Sequence, residues 1–324
     1  MNPGGHQSRL VGTAGLVLLA MLWGTMVPTI THLLKTWDPL FLAALRYLGG
    51  GPALLPVLWL MGQGNAAPAR PTKASPARIA LLGAIGIGGY AGLYTLGVAH
   101  ANAVTASILS AASPAVATVT DRVIFGRRLD RRMIPGLVLA MCGCVLATVD
   151  FARAGSPFDL RGGEILILAA FACWSWYSTA AQRWLEGWSQ LRISSVTMTV
   201  GGVALTIAYL AAAGFGGAVF PPSMPATATD WLLLFWLVLA LVAFGVLLWN
   251  FGVKRSGVVT ASLYLNLTPI VAILILALGG TAPNPQQMVG GGMVILGILW
   301  AELATMRRPL PAPDPAGIDE APGL

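Results

Sequence analysis

The chain has 324 residues, of which 56% are hydrophobic and only 10% charged, and its mean hydropathy is +0.75. A soluble domain carries roughly 25% charged residues, and no packed core could hide this much apolar surface, so a water-soluble enzyme or binding module is excluded. The formal charge of +7 invites a nucleic-acid reading, but the basic residues sort by membrane side, and no nucleic-acid partner is expected.

After a short segment at residues 1–9 come ten apolar stretches, each long enough to cross a hydrocarbon layer of about 30 Å. They lie near 10–34, 39–62, 77–99, 103–125, 132–150, 161–183, 192–214, 231–253, 258–279 and 286–306. The runs are continuous rather than alternating, so they are expected as helices and not as barrel strands. The first carries Trp23 and Pro28 and has no small-residue cleavage site, so it reads as a retained helix rather than a signal peptide. The second follows the Trp37-Asp38-Pro39 corner and holds Arg46, the one charge inside a span. A lone cation at the bilayer centre costs roughly 3 kcal/mol. Arg46 lies early in its helix, so snorkelling to the outer interface and a substrate role stay equally open.

The third span contains Gly86-Ile87-Gly88-Gly89 without a preceding strand, which reads as close helix packing, with Gly88 and Gly92 as a GxxxG pair, and not as a phosphate loop. Tyr90 and Tyr94 share a helix face four residues apart, and His100 follows. The fourth span brings Ser107, Ser110 and Pro114, and the sixth brings Trp174 and Tyr177, three apart. Trp249 and Asn250 close the eighth; Thr260, Ser262, Tyr264, Asn266 and Pro269 lie in the ninth. Residues 307–324 contain five prolines and are expected as a disordered cytoplasmic tail.

The same pattern occurs twice. Residues 97–117 (GVAHANAVTASILSAASPAVA) and 252–272 (GVKRSGVVTASLYLNLTPIVA) align without a gap at an offset of 155, with 9 of 21 positions identical. Trp23 matches Trp174 at an offset of 151, and Gly136 and Gly143 match Gly290 and Gly297 at 154. Such a duplication in a membrane chain is the mark of a repeat-built transporter. The repeats are read as residues 10–150 and 161–306.

Of the 19 Lys and Arg, 15 fall on one side of a ten-span chain. They include Arg70, Lys73, Arg78, Arg127, Arg128, Arg131 and Arg132. Only Lys35, Arg153 and Arg161 fall on the other. Positive charge resists translocation, which places the richer side, and both termini, in the cytoplasm. Five spans per half is an odd number, so the halves enter the membrane from opposite sides. The expected fold is all-α and integral to the membrane: ten transmembrane helices in two inverted five-helix repeats, with a site between them near mid-depth.

Little reactive chemistry is visible. Cys142, Cys144 and Cys173 form neither a disulfide frame nor a metal quartet. His6, His32 and His100 stand apart without HExxH spacing. Asp121, Glu164 and Glu302 lie near span ends, so no carboxylate is placed to exchange protons for substrate at mid-membrane. No catalytic residue, metal or cofactor is expected.

What the spans do hold is aromatic. Trp23, Tyr90, Tyr94, Trp174, Tyr177, Trp249 and Tyr264 include several residues too deep for the interfacial belts where Trp and Tyr gather. As a set they point to an aromatic-lined cavity; singly, each could equally be core packing. Ser107, Thr260 and Ser262 are expected to bond their own helix backbone. Asn250 and Asn266 are better placed to hold a polar substrate group or a facing helix. Pro114 and Pro269, repeat-equivalent, are expected to kink helices that bend during access changes. With Arg46 they form a set of gating or structural residues.

The segments 103–114 (AVTASILSAASP) and 258–269 (VVTASLYLNLTP), with Trp23-Gly24 and Leu45-Arg46-Tyr47, resemble the EamA-type domain of the drug/metabolite transporter superfamily over nearly the whole chain. The family often has an acidic residue just after the fourth span. This chain reads Phe125-Gly126-Arg127-Arg128 there, so no role of that acid carries over. Tyr90, Tyr94 and His100 most resemble the YddG-like exporters of aromatic and other neutral amino acids. The resemblance implies a basket of ten helices around a central cavity, with spans 5 and 10 at its periphery, in a bacterial inner membrane. It implies export of small neutral metabolites, with aromatic and hydrophobic amino acids foremost, and the lipid bilayer as the other partner. Another metabolite or a lipophilic cation, an integral-membrane enzyme on lipid-linked substrates, and a non-transporting scaffold are the alternatives.

Overall fold

The computed structural model describes residues 3–61, 74–110, 112–126, 131–147, 162–223, 225, 227–265 and 267–306. Every regular element among them is helical. In the first half these are α1 (Pro3–Gly24), α2 (Met26–Leu33), α3 (Pro39–Ala53), α4 (Leu55–Leu60), α5 (Pro76–Leu81), α6 (Tyr90–His100), α7 (Ala103–Ser110), α8 (Ser113–Phe125) and α9 (Ile134–Ala147). The second half holds α10 (Gly163–Trp184), α11 (Gln190–Gly214), α12 (Ala228–Phe235), α13 (Gly245–Leu265), α14 (Thr268–Leu278) and α15 (Pro285–Met306). A π-helical segment joins α5 to α6 (Leu82–Gly89), and another joins α12 to α13 (Trp236–Phe244). The two occupy repeat-equivalent positions.

Local chemistry sets the ends. Asp38 caps α3 by accepting from the backbone N–H of Leu40 and Phe41, with Pro39 in the first turn, where its missing N–H costs nothing. Ser189 caps α11, and Thr227 with Asp230 forms a reciprocal capping box on α12. Gly126 closes α8 in the left-handed region at φ 66°.

Prolines set the internal breaks. Pro114 cannot donate to Ser110, and α7 and α8 meet at a bend of 53°. Pro269 cannot donate to Leu265, where α13 ends before α14 begins. Pro28 likewise leaves Gly24, the last residue of α1, without its donor.

Six helical runs are long and apolar enough to cross a membrane: Ala14–Leu33, Pro39–Leu60, Pro76–His100, Gly163–Trp184, Gln190–Gly214 and Ala228–Lys254. The bent pair α7–α8 makes a seventh. The other three expected stretches fall on α9, with 14 residues, on the α13–α14 junction, and on α15. One boundary differs from expectation. The loop expected at 254–257 is not formed, since α13 runs unbroken from Gly245 to Leu265. In the first half, Asn102 accepts from the backbone of Val104 and Thr105 and so starts a new helix. Its repeat-equivalent is Gly257, which has no side chain to cap with.

Helix packing follows the glycines. α9 runs along α15, and a Cβ at Gly136 would lie 2.4 Å from the Gly297 carbonyl oxygen, while one at Gly143 would lie 2.5 Å from that of Gly290. α3 packs on α11, α6 on α10 and α1 on α13. The last two contacts match through the repeat: Gly97 abuts Ile167, and Gly252 abuts Leu16. Large apolar side chains such as Val123, Ile165, Ile207 and Leu232 are exposed on the outer faces, as a lipid-facing surface requires. At one end the halves are tied together. His32 pairs with Asp230 at 2.9 Å, Trp37 donates to the Ser223 carbonyl, and Ser223 donates to that of Thr36.

Candidate functional site

A narrow cavity of about 40 Å³ lies among the helices. The first half contributes Trp23, Met26, Tyr90, Tyr94, Ser110, Ser113 and Ala117. The second half contributes Phe171, Trp174, Ser175, Ser178, Trp249, Leu265 and Thr268. Seven residues from each half make it a site at the junction of the repeats.

Its walls are a continuous set of rings. Trp174 is central, with its ring 4.9 Å from Tyr90, 5.5 Å from Tyr177, 5.8 Å from Trp23 and 5.9 Å from Trp249. Tyr90 stacks on Tyr94 at 5.5 Å, and Phe171 lies edge-on to Tyr94 at 5.8 Å. These spacings are those of favourable aromatic pairs. Trp23 and Trp174 are repeat-equivalent and touch one another.

The polar ends of four of these rings are anchored. The indole N–H of Trp23 donates to the Leu241 carbonyl at 2.9 Å, inside the second π-helical segment, where widened turns free backbone carbonyls. A Cβ at Gly245 would lie 2.5 Å from that indole nitrogen, so the close approach of Trp23 requires glycine there. Trp249 donates to the Ser178 hydroxyl at 3.2 Å, and Ser178 donates to the Trp174 carbonyl. The hydroxyls of Tyr94 and Ser110 lie 3.4 Å apart, and those of Tyr177 and Thr197 lie 3.0 Å apart. Rings whose N–H and O–H groups are satisfied by protein leave their faces as the main surface a solute meets.

Of the residues singled out from sequence, Trp23, Tyr90, Tyr94, Trp174 and Trp249 line this cavity. Tyr177 is fully buried behind Trp174. Asn250 is buried and donates to Ser194 on α11 at 2.7 Å, so it holds a facing helix. Tyr264 packs against the core outside the lining. His100 is exposed at the end of α6, with Nδ1 2.8 Å from the Leu96 carbonyl, apart from the aromatic set. Asn266 lies outside the described residues, as do the side chains of Thr260, Ser262 and Glu302. Ser107 donates to its own helix at Ala103. Pro269 lines a second, apolar crevice of about 340 Å³ between α7, α14 and α15.

Arg46 does not snorkel. It is wholly buried, 5.3 Å from the Tyr47 ring centroid, because α3 is covered along its length by α11 and the second π-helical segment. Glu164 is buried in the first turn of α10, and Asp121 accepts from Thr179 at 3.0 Å. Neither acid is among the cavity residues. Sequence reasoning missed Phe171 and Ser178, although they lie three and four residues from Trp174 and share its helix face, and it missed the adjacent Ser175. It also missed Ser113 and Thr268, repeat-equivalent residues beside the two helix-breaking prolines.

The profile of the EamA-like transporter family matches residues 10–149 and again 161–302. The chain is 28% identical over 294 residues to the "probable terminal-alkyne amino-acid exporter" of Streptantibioticus cattleyicolor, covering 90% of this chain and 94% of that one. It is 25% identical over 295 residues to the aromatic amino acid exporter YddG of Ancylobacter novellus, covering 89% and 95%. A solved crystal structure, 19% identical, superposes with a TM-score of 0.66 over 92% of this chain and 98% of its own.

Proposed function

Since the chain belongs to the EamA-like transporter family, and is thus a multi-pass membrane transporter rather than an enzyme, we propose that it exports small neutral metabolites, aromatic and other hydrophobic amino acids foremost, by alternating access. The observation that carries this reading is the ring-walled cavity built equally from both halves. Flat, polarisable walls suit an apolar or aromatic side chain, and the few hydroxyls that line it suit a small polar part. The amino-acid exporters among its relatives support the same substrate class.

The architecture we propose is ten spans in two inverted repeats, residues 10–150 and 161–306, as a basket with α9 and α15 at its periphery. Its supports are the paired π-helical segments, the matched prolines, the swapped contacts Gly97–Ile167 and Gly252–Leu16, and the meeting of Trp23 with Trp174. A helical, many-span chain of this kind belongs in the bacterial inner membrane, since outer membranes are crossed by barrels. The basic loops support a topology with both termini in the cytoplasm.

The cavity of about 40 Å³ admits a water but is far below the roughly 300–1,000 Å³ of a ligand pocket. Transport therefore requires the rings to part, and the bends at Pro114 and Pro269 are where the lining helices can open. The test is purified protein in liposomes with a panel of labelled amino acids, read as uptake and counterflow. Saturable flux of phenylalanine, leucine or tryptophan is expected. Flux of none of them, with flux of some other solute class, would overturn the substrate reading.

A further inference from the structure

The ring-walled cavity leaves one feature of its surroundings unused. Arg46 on α3 is wholly buried, and neither Nε, Nη1 nor Nη2 meets a hydrogen-bond partner among the described residues. A guanidinium stays protonated inside proteins, so this is a full positive charge withdrawn from water. A buried ion without a counter-ion is unfavourable. The Tyr47 ring lies beneath it at 5.3 Å and softens that cost.

Two tyrosines connect this charge to the solute space. Tyr90 and Tyr94 lie within electrostatic reach of Arg46, and both line the cavity. They stack on each other at 5.5 Å and contribute no negative charge. No carboxylate is among the lining residues, and Asp230 pairs with His32 at the end of the molecule instead. Among the described residues, the cavity lining thus presents ring faces and no carboxylate, with the Arg46 cation close by.

We propose that Arg46 anchors a carboxylate of the transported solute, so that the site selects carboxylates with an apolar side chain, α-amino acids among them, over the corresponding amines and amides. The inference rests on the exporter reading and deepens it. A guanidinium presents two parallel N–H groups that match the two oxygens of a carboxylate. When Tyr90 and Tyr94 part, the carboxylate reaches this fork, the apolar side chain lies among the indoles, and an ammonium group lies against the ring faces as a cation–π partner. A solute with a cation and no carboxylate meets only repulsion from Arg46.

The test uses full-length protein in liposomes and four related solutes: phenylalanine, phenylalaninamide, phenethylamine and 3-phenylpropionate. Wild-type flux of phenylalanine is expected to exceed that of the amide and the amine by at least about tenfold, and 3-phenylpropionate is expected to compete. In Arg46→Gln the difference between phenylalanine and its amide should shrink to about twofold or less, while Arg46→Lys should keep part of it. Equal wild-type flux of phenylalanine and its amide, or an undiminished difference in Arg46→Gln, overturns the anchor and leaves the exporter reading standing. Flux of 3-phenylpropionate without phenylalanine keeps the anchor and overturns the amino-acid reading. Flux of none of the four overturns both. The wild-type comparison decides the matter even where an Arg46 variant fails to fold.

Discussion

Trp174 touches four other rings and carries the Ser178 hydrogen bond on its carbonyl, so packing is concentrated in it, and the proposed recognition of solute is tested there. Truncating a residue that contacts the solute removes about 0.5–1.5 kcal/mol beyond burial, a several-fold loss of affinity. Truncating one that only packs lowers thermal stability and leaves substrate preference alone. We expect Tyr94→Ala and Trp174→Ala, purified at wild-type yield, to change the ratio of phenylalanine to alanine flux; an unchanged ratio in both would make these residues core. The aromatic set was legible in the sequence because rings at mid-span are unusual and their spacing puts them on shared faces. Its burial partners were not. Ser178 and Thr268 look like every other hydroxyl in a membrane helix, most of which back-bond as Ser107 does. The burial of Arg46 was illegible for a different reason: its position near the start of a span fits snorkelling until the packing of α3 among its neighbours is seen.

At the scale of elements, the repeat was legible through residues that change backbone behaviour. Pro114 and Pro269 break their helices at equivalent points, and Gly136, Gly143, Gly290 and Gly297 form the seam between α9 and α15. The π-helical segments were not legible, because a widened turn needs no particular residue. The continuity of α13 was missed because Lys254 and Arg255 read as a loop, whereas the helix start in the other half depends on the Asn102 cap that Gly257 lacks. The seam makes a firm prediction. A side chain at Gly143 would meet the backbone of Gly290 and Val294 at 2.5 and 2.8 Å, so Gly143→Leu must force the helices apart, at about 1–3 kcal/mol. Gly292 on the same helix meets nothing within 4 Å, and Gly292→Leu should stay within about 0.5 kcal/mol. Thermal unfolding in detergent checks both; equal melting temperatures for the two variants would dissolve the seam.

For the molecule as a whole, the disposition of charge leads to two expectations. Single cysteines at residues 70–75 and 127–132 are expected to react with an impermeant thiol reagent only from the cytoplasmic side, since the side to which these loops belong holds 15 of the 19 basic residues. Labelling from outside would invert the topology. The second expectation concerns energy coupling. Linking a proton to solute movement requires a titratable group that the two share, and the cavity offers indoles, phenols, hydroxyls and a nearby guanidinium but no carboxylate or imidazole. His32 and Asp230 pair at the end of the molecule where the halves are tied, and Glu164 lies in the first turn of its helix, away from the cavity lining. None of the three lines the solute space. Flux in liposomes should therefore follow the amino-acid gradient alone. It should persist when a proton ionophore collapses any imposed pH difference and change by less than about twofold between opposite pH gradients, a factor worth only a few tenths of a kcal/mol. Counterflow of labelled phenylalanine against unlabelled phenylalanine, run with and without the ionophore, reads this directly. Flux that stops when the pH difference is removed would require a proton carrier in contact with the solute, and Glu164, buried and without a hydrogen-bond partner for either carboxylate oxygen, would be the first residue to replace with glutamine.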